Sequence, residues 1–78
     1  MSQTVTLKQV TWDQGTLSGI VTVTPALTTR PIAFELRGEV FNIKGFRDVN
    51  TFRFTYSGSR SSEYMKGFLQ PGALLTLH

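Results

Sequence analysis

The hexapeptide Thr51-Phe52-Arg53-Phe54-Thr55-Tyr56 alternates aromatic and polar residues without a break. A period of two is the mark of a β-strand with one dry face and one wet face. Three rings on one side of so short a strand need an interior to receive them, and burying each contributes roughly 1.5–3 kcal/mol. The segment therefore calls for a sheet that curls round or stacks on another.

The size of that interior follows from the length. A chain of 78 residues buries only about 60% of its unfolded surface, which leaves stability marginal. Cysteine is absent and histidine occurs once, so neither disulfides nor a structural zinc site is expected to help. Association between copies is the remaining common source of stability. Charged residues make up 17% of the chain, against roughly 25% in ordinary soluble domains. A small domain has more surface per residue, so part of its outside is expected to be covered, and a homo-oligomer is the expected state.

The turn chemistry and the apolar alternation divide the chain into short strands. The first is expected over Gln3–Trp12, where apolar residues change sides between Leu7 and Val10, implying a bend, a bulge or a strand covered on both faces. Asp13-Gln14-Gly15 supplies a turn, and a second strand covers 16–24 until Pro25 ends its ladder. The third is read as one long strand over 32–43. Its even positions Ile32, Phe34, Leu36 and Val40 face the core, while Phe41 and Ile43 point outward with Glu35, Arg37 and Glu39. Residues 44–50 form a loop, and 51–56 return as the aromatic strand.

Gln70-Pro71-Gly72-Ala73 fits a type II turn. It is expected to join a strand over 64–69 to a last strand over 73–77, in preference to a short helix near 61–69 capped by serine. Together these elements make one all-β domain over 1–78, a small antiparallel barrel or two-sheet sandwich of five to six strands.

No catalytic set emerges. A Ser-His-Asp arrangement needs a histidine held between nucleophile and carboxylate, and the single histidine, His78, is the last residue, where chains are expected to fray. Glu35 and Glu39 flank Arg37 as a solvated charge ladder, and no glycine cluster precedes a helix to cradle phosphate. The chain is expected to work without enzymatic activity, cofactor or metal. Lys44-Gly45-Phe46 opens like the basic–Gly–aromatic signature of RNA-recognition domains. Arg47 and Asp48 then stand where a small and an aromatic residue belong, and that match is set aside.

What remains is a binding surface. Arg37, Phe41, Ile43, Lys44, Phe46, Arg47 and Arg53 interleave cations with apolar side chains on one outward region. Such a mixture suits a subunit contact, and self-association through Phe41 and Ile43 is the leading expectation. It also suits single-stranded nucleic acid, where rings stack bases and cations hold phosphates. A formal charge of +3 assists the second without requiring it. No basic segment leads into an apolar run, and no apolar stretch approaches the roughly 20 residues that span a bilayer. A cytoplasmic or virion-associated location and no membrane partner are expected.

Overall fold

A computed structural model describes residues 3–13 and 18–78. The chain forms β1 (Gln3–Trp12), β2 (Ser18–Thr24), β3 (Ala33–Leu36), β4 (Glu39–Asp48), β5 (Thr51–Thr55), α1 (Ser62–Lys66) and β6 (Leu74–Leu77). The six strands close into an antiparallel barrel in the order β1-β2-β5-β4-β3-β6. Three consecutive hairpin strands, β3 to β5, with β6 returning beside β3, make this a Greek key. The turn expected at Gln14 and Gly15, and the strand positions Thr16 and Leu17, lie outside the described residues.

Two crossovers follow from that order. Residues 25–32 carry the chain from β2 to β3 over one end of the barrel, and α1 carries it from β5 to β6 over the other. Leu27 packs against the core from the first crossover, and Met65 and Leu69 are buried from the second. The interior is filled by Val5, Leu7, Val21, Val23, Phe34, Leu36, Phe41, Phe52, Phe54, Tyr56, Leu75 and Leu77. Six strands leave space for side chains and nothing else.

The expected long strand over 32–43 is two strands. Arg37 and Gly38 both take positive φ, at 52° and 81°, and Leu36 pairs with Glu39 across them. Two left-handed residues between paired strands define the tight hairpin turn that matches the twist of a sheet. Gly38 adopts that backbone freely, while Arg37 does so against its Cβ.

Pairing Leu36 with Glu39, three residues on, puts both on one face and moves the inward positions from even to odd. Phe41 is therefore buried at 0% exposure and stacks on Phe34 at 4.8 Å, whereas Val40 is 52% exposed. Ile32 turns outward at 77% exposure, and Ile43 is half-buried against the core. The outward face expected around Phe41 and Ile43 does not form.

The hairpin also breaks the expected ladder of Glu35, Arg37 and Glu39. Glu35 meets His78 at 3.1 Å, and the Arg37 guanidinium lies 4.2 Å from the centre of the Phe68 ring. Glu39 points to the barrel mouth, where its Oε1 accepts the Tyr56 hydroxyl at 2.6 Å. The same hydroxyl accepts from the Arg60 amide at 3.2 Å, and Arg60 pairs with Glu39 at 3.6 Å. Burial, then the bond given to Glu39, pushes the Tyr56 phenol above its ordinary pKa.

Residues 61–69 contain a helix, not the preferred strand. Ser61 caps it by accepting from the Tyr64 amide at 3.2 Å. One turn suffices because Met65 and Leu69, four apart, both reach the core while Tyr64 and Phe68 touch edge-to-face outside at 4.9 Å. The turn at Gln70 to Ala73 forms as expected, with Gly72 at φ 98° and the Ala73 amide bonded to the Gln70 carbonyl at 3.0 Å.

Candidate functional site

Residues 44–50, expected as a loop, continue β4 to Asp48 and leave only Val49 and Asn50 as a turn. Two register shifts against β5 make this possible, one between Ile43 and Gly45 and one between Phe46 and Asp48. A bulge opposes two residues to one and re-aims the extra side chain. The extra residues are Lys44 and Arg47, and both are exposed. At the first shift the apolar spacing lengthens from two to three, so Ile43 and Phe46 both still turn toward the core.

The turn is tied down from two sides. The Asp48 carboxylate accepts the Asn50 amide at 2.9 Å. The Leu27 amide bonds the Val49 carbonyl at 2.6 Å, and the Val23 amide bonds the Asn50 carbonyl at 2.8 Å. These bonds lash the 25–32 crossover beside the β4–β5 turn and leave a groove of about 410 Å³ between them. That volume lies in the range of small-ligand sites.

Its chemistry is mixed in a definite way. The half-buried Phe46 ring lies beside Phe52, with centroids 6.0 Å apart, and the Arg30 guanidinium stands 5.3 Å from the ring centre. Arg47 adds a second guanidinium, Thr28 and Thr29 add hydroxyls, and Leu27 and Val49 add apolar walls. Asp48 is the groove's carboxylate, and one of its oxygens is already engaged by Asn50. A guanidinium held on a ring face keeps its N–H groups for an anion, since the ring takes none of them.

The expected binding residues thus separate. Phe46 and Arg47 share the groove, and Lys44 lies outward on the same strand. Arg53 points outward from β5 and is held by Asp13 at 3.0 Å. Arg37 belongs to the opposite end, over Phe68 in a second groove of about 510 Å³ beside Pro71 and Leu74. Phe41 is core and takes no part. Arg30 was not among the expected residues, because nothing in the sequence brings the crossover next to Phe46.

Among the described residues, no three of His, Cys, Asp and Glu come close enough to hold a metal ion. No described helix is long and apolar enough to cross a membrane. No protein family, curated protein or solved structure matches the chain.

Proposed function

We propose that this barrel is a binding module for single-stranded nucleic acid. The observation that carries the reading is the groove itself, where an accessible ring is flanked by Arg30 and Arg47 and lined by two threonine hydroxyls. A base stacks on Phe46, and the adjoining phosphate takes the two guanidinium groups. Because Arg30 is exposed, it can move from the ring face onto that phosphate as the base arrives. Stacking of any base on a ring makes the contact tolerant of sequence.

The test is titration of a fluorescent oligothymidylate at low salt with the wild type and Phe46→Ala. Stacking is worth roughly 1–3 kcal/mol per base, so the variant is expected to bind about five- to 150-fold more weakly. Phe46→Ala binding as tightly as the wild type, or a wild type that does not bind, ends the reading.

Self-association is the second reading, and the burial of Phe41 changes where it acts. A closed ladder offers no free strand edge, so contact between copies must be face to face. The exposed apolar side chains on the β6–β3–β4 side are Ile32, Val40 and Leu74, the last at 63% exposure. Val40 pairs with Glu35, and Glu35 with Thr76, so the carboxylate of this row is Glu35, which meets His78 at 3.1 Å.

A further inference from the structure

Three register shifts interrupt the described strand pairings, and the extra residue at each one is a cation. Lys8 is inserted between Leu7 and Gln9 of β1, Lys44 between Ile43 and Gly45, and Arg47 between Phe46 and Asp48 of β4. Lysine and arginine number 8 of 78 residues, so composition does not account for three out of three. All three are exposed.

Register places these cations around one face. Gln9 pairs with Thr22, Thr22 with Thr51, and Thr51 with Asp48. This outward row runs across β1, β2, β5 and β4, with Lys8 beside one end and Arg47 beside the other. The Thr22 and Thr51 hydroxyls touch at its centre, 3.3 Å apart. A second row links Thr11, Ile20, Arg53 and Gly45, with Lys44 beside its β4 end. Of the two carboxylates that approach this face, Asp13 is held by Arg53 and Asp48 by the Asn50 amide.

We propose that the phosphodiester backbone of a single strand leaves the Phe46 groove and crosses the β2–β5 face, held by Lys44 and Arg47 on one flank and by Lys8 on the other. The inference rests on the nucleic-acid reading above and extends it from one nucleotide to a run of them. Three interstrand steps separate Gln9 from Asp48, roughly 14 Å around the sheet, so a single phosphate does not reach both flanks. In a hydroxyl pair one proton bridges the two oxygens and the other stays available, which suits a phosphate oxygen passing over Thr22 and Thr51. Continuity with the ring-lined groove favours a nucleic acid over an acidic peptide, which has no base for Phe46.

The experiment measures affinity against salt for oligothymidylates of two and of about twelve nucleotides, a length within the range that small barrels cover. Each phosphate contact on a single strand contributes about −0.7 to the slope of log K against log salt. Lys8→Gln is expected to reduce the slope by about 0.7 with the long strand and to leave the dinucleotide unaffected. Lys66→Gln, at the opposite end of the barrel over Trp12, is the control and should change neither.

An unchanged slope for Lys8→Gln on the long strand overturns the track while leaving the groove reading intact, provided that Phe46→Ala still weakens the dinucleotide. An equal loss from Lys66→Gln overturns it as a general effect of net charge. Displacement of the long strand by polyglutamate of matching charge assigns the face to acidic peptides instead. Absence of binding at either length removes the groove and the track together.

Discussion

Truncating Phe41 to alanine tests the hairpin that reverses the chain at Arg37 and Gly38. The ring is wholly buried, 4.8 Å from the Phe34 centroid, 4.9 Å from Tyr56 and 5.8 Å from Phe54. Each of those neighbours is anchored on its own strand, so the space left behind cannot close by a simple side-chain shift. The loss therefore belongs in the upper part of the roughly 3–5 kcal/mol seen for such truncations. A chain of this length holds about 4–12 kcal/mol in total, at roughly 0.05–0.15 kcal/mol per residue. Phe41→Ala is thus expected to lose a third or more of all stability.

Val40→Ala, one residue away, removes a half-exposed side chain and should cost no more than about 0.5 kcal/mol. Urea unfolding reports both variants through the single tryptophan, Trp12, whose ring meets Phe54 edge-on at 5.3 Å. With a slope near 1 kcal/mol/M, the midpoint for Phe41→Ala is expected to fall by about 3 M or more. If Val40→Ala costs over about 2 kcal/mol and Phe41→Ala under about 0.5, the chain runs straight through residues 37 and 38 and the barrel described above is wrong.

Two further outcomes follow from particular contacts. Because the fold raises the Tyr56 phenol pKa, its contribution is fully present below the ordinary value near 10 and is lost as pH rises through the raised one. The thermal midpoint of the wild type should therefore fall at alkaline pH, and Tyr56→Phe should flatten that decline; an identical alkaline profile in both proteins removes Tyr56 as its cause. If copies associate through the β6–β3–β4 face, light scattering at micromolar concentration finds more than one subunit per particle, and Leu74→Asp shifts it toward monomer. A wild type that is monomeric at every concentration disposes of that reading.

Much of the barrel could be read directly where alternation is unbroken. Residues 51–56 send Phe52, Phe54 and Tyr56 inward as expected, and Val21 and Val23, two apart in β2, are buried with them. The change of sides in β1 allows a bend, a bulge or burial on both faces, and the register shift between Leu7 and Gln9 makes it a bulge. The same signal was present in β4, where Phe41, Ile43 and Phe46 are spaced two and then three apart, but the glycine and the charges there looked like a loop. The hairpin at residues 37 and 38 was hidden for a different reason. Even positions from 32 to 40 are almost all apolar, so a continuous strand satisfied the pattern, and arginine is an unusual residue at positive φ.

The groove depended on what sequence cannot express. Phe46 and Arg47 were legible as a ring beside a cation, whereas Arg30 reaches that ring only because the crossover is lashed to the β4–β5 turn. Sequence favours a strand over the short helix at residues 61–69 because Gly67 weakens the helix locally, while the burial of Met65 and Leu69 that compensates is tertiary.

Joining β1 to β6 has a consequence for how the molecule is made. During synthesis β1 emerges early and can zip to β2, yet its other margin stays bare until residues 74–77 leave the ribosome. Until then both β1 and β3 display unsatisfied amides and carbonyls, a template for neighbouring nascent chains. The ring seals in one late step, so a chain stalled just short of its final strand is an open ribbon and not a slightly smaller cylinder.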